Sequence, residues 1–295
     1  MQRCLILSAF LLASLSSVFA ASSVVLPFSN LSQDKNLDWI GESIAEMVNE
    51  AIASEGLLVL DRSDRAEAYK RLGIRPYALL TRASVVKIGD ELDSGHVVYG
   101  SFEVSPQTPP TKSAITIRAR VLDLRRLRQS EELVEGGLLE DLASLQNKLC
   151  YRTLLELLPD TRINEQEFLA KRTRTRVDAL ENYIRGLLVT DPAAKHRFFT
   201  QAARLDANFS PPCFQLGLYH WEKDAYREAA IWFQRVRATD SHYREAHFYL
   251  GICKYRVADY PAAEQAFQVV ASTVPLNEVF NNLGAAQMHR NSSEA

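Results

Sequence analysis

The run from Ser210 to Arg290 reads SPPCFQLGLYHWEKDAYREAAIWFQRVRATDSHYREAHFYLGICKYRVADYPAAEQAFQVVASTVPLNEVFNNLGAAQMHR. Inside it Leu216-Gly217, Leu250-Gly251 and Leu283-Gly284 recur at intervals of 34 and 33 residues. The first two are followed by Ala229 and Phe233, or by Ala263 and Phe267, at 12 and 16 residues from the glycine in both copies, and Pro275 closes the second copy. A period of this length predicts stacked helical hairpins, each burying its apolar side against the next. The residue types fit such a unit. Glycine at a helix crossing lets two backbones approach, a small alanine admits the neighbouring helix, and the aromatic ring fills the space between them.

Leu-Gly in the first helix, Ala-x-x-x-Phe in the second and a closing proline resemble the tetratricopeptide repeat, with Cys213 and His247 standing where that family often has tryptophan. An earlier copy fits Tyr183, Gly186, Phe199, Ala202 and the Leu205-Asp206 ending, with 13 residues from glycine to phenylalanine in place of 16, which predicts a shortened turn between its helices. The resemblance implies a curved helical array whose concave groove holds a peptide or another protein.

The rest of the chain feeds this array. At 295 residues, 47% apolar and 24% charged, it is an ordinary globular composition long enough for two domains. A formal net charge of −2 gives no bias toward nucleic acid or an anionic membrane. Residues 1–20 read as a secretory leader: Arg3, an apolar run from Leu5 to Leu15, then Val18-Phe19-Ala20 as a small-residue cleavage site. The run is short for a membrane span, so an exported, periplasmic or secreted chain without an integral span is expected after cleavage. Cys4 precedes the apolar run and is not placed as a lipoprotein cysteine. Cleavage leaves Cys150, Cys213 and Cys253, an odd number that favours buried thiols, with a Cys213–Cys253 bridge left open.

Residues 22–137 alternate strand and helix. Val24 to Phe28 reads as a buried strand, Ile40, Ile44, Met47, Val48, Ala51 and Ile52 as one helix face, and Leu57 to Leu60 as a second strand. Asp61 or Ser63 can cap a helix ending at Leu72-Gly73. Val85, Ile88, Gly89 and Leu92 form a further helix face, followed by a strand from His96 to Val104. Pro106, Pro109 and Pro110 mark a loop, Ile115, Ile117, Ala119 and Val121 alternate as a strand with one buried face, and Leu133 to Gly137 reads as one more strand. This order predicts an α/β domain with a mixed sheet and packed helices. VLPFSNLSQDKNLDWIGESIAEMVNEAI, with LLVLDRSD and HVVYGSFEV, resembles the TolB amino-terminal and FlgO-like domain of bacterial envelope proteins. The segment from Thr175 to Leu187 is similar to the junction at which such domains join tetratricopeptide repeats. Residues 138–176 form a helical connector, with Gly136-Gly137 as a flexible joint before a leucine-rich helix that Pro159 ends and that is expected to pack back on the sheet. Residues 177–295 carry the repeats, and the last of them has only Asn291 to Ala295 after its first helix, which predicts a fragment of a longer chain.

No reactive motif stands out. Lys171, Arg172, Arg174 and Arg176 lack aromatic interleaving, and Arg125, Arg126 and Arg128 fall at a turn, so both clusters read as solvated. Asp90, Glu91, Asp93 and His96 contain a single histidine, and His242 and His247 are five apart, unlike the i, i+4 pair of a zinc helix. No phosphate loop or nucleophile elbow is present, and no cofactor, metal or enzymatic activity is expected. The binding signal is an aromatic ladder. Phe214 and Phe248, and Trp221 and Tyr255, recur at 34 residues with Leu218 and Ile252 between them on one helical stripe. In the resemblance these positions face the groove and would contact a partner, whereas the alternative is that they pack between adjacent helices. The expected function is a non-catalytic envelope adaptor for protein or peptide partners. The alternative is a sensor or small-ligand module using the turn from Ser29 to Gly41.

Overall fold

The computed structural model describes residues 22–107, 112–172 and 174–294, with side chains through 291. The expected leader, and Pro109 and Pro110 of the expected loop, lie outside the described residues. The first half is an α/β layer structure built on a mixed sheet. β3 (His96–Ser105) and β4 (Ala114–Asp123) pair antiparallel over their full length, from His96 opposite Asp123 to Ser105 opposite Ala114. β1 (Ser23–Val25) and β2 (Ser29–Asn30) lie end to end, parallel to β3, on its free edge. β5 (Arg128–Gln129) and β6 (Leu133–Leu138) line the outer edge of β4. The expected strand from Leu57 to Leu60 shrinks to one bridge, Ser23 with Val59, and Leu58 is 58% exposed there. Leu57 and Val59 still pack on one core and Leu60 on the other, but the backbone pairs only through that bridge and its flanking hydrogen bonds.

Alternation along the strands sorts side chains to two cores. Val25, Val98, Phe102, Ile115 and Ile117 face α1 (Trp39–Ser54) and α4 (Leu142–Leu157), whereas Val24, Leu26, Val97 and Leu122 face Tyr69 of α2 (Arg62–Leu72) and Val85 and Ile88 of α3 (Arg82–Glu91). α2 starts where the sequence has its acidic residues: Asp61 accepts from the Asp64 amide and Asp64 reaches back to the Asp61 amide, a closed capping box. It ends at Gly73, whose φ of 65° suits a residue without Cβ. The leucine-rich helix does pack on the sheet. Gly136 and Gly137, expected as a flexible joint, instead sit inside β6 opposite Thr116 and Ile115. A Cβ at Gly137 would lie 3.1 Å from the Leu145 side chain, so the missing side chain lets α4 lie close on the strand.

The second half is a run of helices: α5 (Glu165–Ala170), α6 (Val177–Leu188), α7 (Pro192–Leu205), α8 (Pro211–Trp221), α9 (Tyr226–Phe233), α10 (Tyr243–Arg256), α11 (Tyr260–Ala271) and α12 (Asn277–Glu294). From α6 onward each packs mainly against its neighbours in sequence. Gly186, Gly217 and Gly251 meet the rings of Phe199, Phe233 and Phe267, where an added Cβ would stand 2.5, 2.4 and 2.6 Å from ring carbons. Each of these phenylalanines is the eighth residue of its helix. The first copy is shorter for a reason the turn alone does not supply: α6 ends two residues after its glycine, α8 four and α10 five. Cys150, Cys213 and Cys253 are buried free thiols, so Cys213 and Cys253 form no bridge. Burial pushes the Cys150 thiol up to about 12.

Candidate binding face and the joint beside it

The six residues of the expected partner face do not share one environment. Phe214 is 3% exposed and belongs to the helical core, 6.0 Å from the Phe233 ring and stacked at 4.5 Å on His242. It is a packing residue, and the expectation that it contacts a partner gives way to the alternative. Leu218 and Trp221 are half-buried against the same core, and Phe248, Ile252 and Tyr255 against the last one, formed with Ala263, Phe267, Leu283 and Ala286. Phe248 lies edge-on to Phe267 at 6.0 Å. Trp221 and Tyr255 keep an open side at the end of their helices and repeat an arrangement. Trp221 meets Tyr226 at 5.4 Å, and Tyr255 meets Tyr260 at 5.5 Å, each ring crossing the turn to the following helix.

Sequence reading missed the second partner of each pair, although Tyr226 and Tyr260 are also 34 residues apart. It also missed two extensions. Tyr249 joins Trp221 at 5.2 Å and stacks on Phe233 at 5.4 Å, and His289 stacks on Tyr260 at 5.1 Å. His196, Tyr219 and His220 form a third aromatic group, with the Lys223 ammonium 3.9 Å from the Tyr219 ring centre. Rings with a polar end and a partly open face suit recognition of a protein surface, because they supply area at little cost in side-chain freedom.

Several residues of the other candidate groups are held in internal contacts. Arg172 lies over the Phe168 ring at 4.3 Å, and Arg176 pairs with Asp178 at 2.6 Å. Arg126 pairs with Asp123 at 3.8 Å. Among the described residues no group of three or more His, Cys, Asp or Glu side chains is placed to hold a metal. No described helix is long and apolar enough to cross a membrane. In the turn from Ser29 to Gly41, Asn30 donates to Asp38 at 2.8 Å and to the Asp34 carbonyl, while Ser32 Oγ accepts from the Val104 amide. Those side chains hold the turn in place.

Among the contacts that fasten the helical half to the α/β half, which include Arg185 donating to the Asn36 carbonyl at 2.9 Å, two places stand out. Ala179, Leu180 and Ile184 of α6 enter the core shared by α1 and α4, and Arg62 donates to the Leu187 carbonyl at 2.7 Å. Arg62 also pairs with Glu46 beside the buried Glu42–Arg65 ion pair. The second place is polar. Asp240, buried before α10, accepts from Ser210 at 2.6 Å and from the His242 amide, with His242 Nδ1 3.4 Å away. Ser241 Oγ donates across the joint to Glu50 of α1 at 3.0 Å.

Burial raises the Glu50 carboxyl, and Asp240 adds to the rise; Ser241, Arg172 and His242 only partly offset it. Burial lowers the His242 imidazole, yet the hydrogen bond and charge of Asp240, with Glu50 and Glu245 behind it, leave it raised. Burial also pushes Asp240 up, but the bonds from His242 and Ser210 outweigh it and hold that carboxyl below its usual range. Glu50 and His242, both raised, stabilise the folded joint below their ordinary values of 4.5 and 6.5 and lose that contribution as pH climbs through the raised ones. Asp240 acts oppositely, losing its contribution as pH falls through its depressed value below 3.8. The joint is therefore tightest in mild acid and loosens toward alkaline pH. Thermal unfolding of Glu50→Gln should give a higher Tm than the parent at pH 8 and a flatter pH profile above pH 5. An unchanged profile would remove Glu50 from this role.

Solved structures to which the chain is similar include the following. The LpoB C-terminal domain from Salmonella enterica is 15% identical over 40% of this chain and 82% of that one, with a TM-score of 0.31. Lipoprotein GNA1162 from Neisseria meningitidis is 18% identical over 48% of this chain and 99% of that one, at 0.35. The solution structure of Escherichia coli LpoB is 17% identical over 40% and 57%, at 0.31. No protein-family model and no curated protein matches the chain. The functional reading therefore stands on the geometry above.

Proposed function

We propose that the chain is a non-catalytic adaptor of the bacterial envelope that binds protein or peptide partners on a tetratricopeptide-like helical array. The observation that carries this reading is the repeated, half-open aromatic pair at the end of successive first helices, Trp221 with Tyr226 and Tyr255 with Tyr260. Export rests on the leader-like residues 1–20. The α/β half is the platform that fixes the array's orientation through the Arg62 and Glu50 contacts.

Binding on such a face is driven by covering a few aromatic anchors, with the surrounding contacts excluding water. Trp221→Ala and Tyr255→Ala in the full chain should each weaken partner capture in crosslinked envelope extracts by about tenfold or more, equivalent to about 1.4 kcal/mol. Their circular dichroism should remain that of the parent. Partner recovery equal to the parent in the doubly substituted chain would remove the aromatic face from the function.

A further inference from the structure

We propose that the turn between β4 and β5, together with the start of α3, is a docking surface for an anionic lipid bilayer, with Leu79 and Leu127 entering its interface and basic side chains meeting the headgroups. Residues 124–127 join the two strands, and Arg125, Arg126 and Leu127 are exposed. Leu127 is 61% exposed and has a φ of 51°, a left-handed backbone that glycine or asparagine would adopt more readily. Two local penalties fall on one residue, which points to a role outside the fold. Arg82 donates to the Leu127 carbonyl at 3.1 Å and so holds the turn against the first turn of α3. Leu79, three residues before Arg82, is 72% exposed.

The charge around the two leucines selects the occupant. Arg82, Lys87, Arg125 and Arg128 are exposed and, among the described residues, have no carboxylate within ion-pair distance. Arg126 is paired with Asp123, and Asp90, exposed three residues beyond Lys87, offsets the four only in part. Arg82, Ala83, Ser84, Val86 and Lys87 also line a shallow hollow. The net charge of −2 hides this patch, because the bases gather where α3 meets a turn 45 residues further along the chain. Guanidinium groups donate well to lipid phosphates, and each base near an anionic membrane surface strengthens binding about fivefold. A protein partner would need a socket shaped to a projecting turn, whereas a bilayer is soft and takes up apolar side chains wherever they project. Residues 79–87 and 124–128 are continued on both sides by described chain, so no chain end leaves them bare.

This surface is separate from the Trp221 and Tyr255 face, and its test leaves that face intact. The chain from Ala21, without the leader-like residues, is sedimented with vesicles of phosphatidylglycerol and phosphatidylcholine in equal parts, and with vesicles of phosphatidylcholine alone. Binding is expected to the anionic vesicles only, and is lost at about 1 M salt, where charges are screened beyond about 3 Å. Arg125→Glu combined with Arg128→Glu should weaken it at least about tenfold. Leu127→Asn should weaken it at least about threefold. Its Tm should be no lower than the parent's, because asparagine accepts the left-handed backbone. Leu79→Ser, outside the hairpin, should weaken binding in the same way. Trp221→Ala with Tyr255→Ala should leave vesicle binding unchanged, so this proposal and the adaptor reading fail separately. Absence of binding, or equal binding by the charge-reversed chain, would overturn the proposal. So would binding to soluble polyglutamate that is as tight as to vesicles and indifferent to Leu127→Asn, since the patch would then serve an acidic protein.

Discussion

Phe267→Ala and Phe233→Ala are each expected to destabilise the helical half by about 3–5 kcal/mol, the usual cost of emptying a fully buried aromatic site. Both rings are at most 1% exposed, and each fills the crossing between the two helices of its repeat. The surrounding groups do not collapse easily into the void. Ring and glycine are complementary, so removal of the ring leaves a backbone with no side chain to swing inward. Trp221 and Trp232 lie in the helical half and Trp39 in the α/β half, so urea unfolding followed by fluorescence and by far-ultraviolet circular dichroism reads the loss. A shift below about 1 kcal/mol would mean that the rings are not the packing elements of the array.

The second large effect lies in the α/β half. Gly41→Ala and Gly100→Ala should each cost about 3 kcal/mol or more, at the upper end of overpacking substitutions. A Cβ on Gly41 would stand 2.0 Å from the Phe28 carbonyl oxygen, and one on Gly100 2.0 Å from the Arg118 carbonyl oxygen and 2.5 Å from the Phe28 ring. Backbone atoms in a strand ladder or at a helix start cannot step aside as a flexible side chain does. Both glycines converge on Phe28, whose amide donates to the Gly41 carbonyl at 3.1 Å and ties the connection between β1 and β2 to the start of α1. Soluble, parent-like unfolding profiles for both variants would contradict this packing.

How much of this was legible in the sequence depends on how local each cause is. β4 was readable from Ala114 to Asp123 because one of its faces is buried and the other is not, which writes itself as alternation. The capping residue of α2 and the Gly–Phe spacing of the later repeats were readable for the same reason: each is a short-range rule. Gly136-Gly137 misled, since a glycine pair reads as a joint by composition, while its true setting, between β4 and Leu145, comes from chain elsewhere. Phe214 and Phe248 share a repeat position, yet the first is covered by His242 and fully buried while the second stays half-open. The polar joint was invisible, because Glu50 and Ser241 are 191 residues apart.

The central claim is that a bare glycine and a phenylalanine ring, in contact, set the helix crossing at Gly186, Gly217 and Gly251. A double-mutant cycle at Gly251 and Phe267 tests it most directly, with stability measured by urea unfolding. In the parent, Gly251→Ala should destabilise, because its Cβ would fall 2.6 Å from the ring. In the Phe267→Ala background the same change should stabilise by up to about 1 kcal/mol, since the clash is gone and only the gain in helix propensity remains. Equal effects of Gly251→Ala in the two backgrounds would contradict the account.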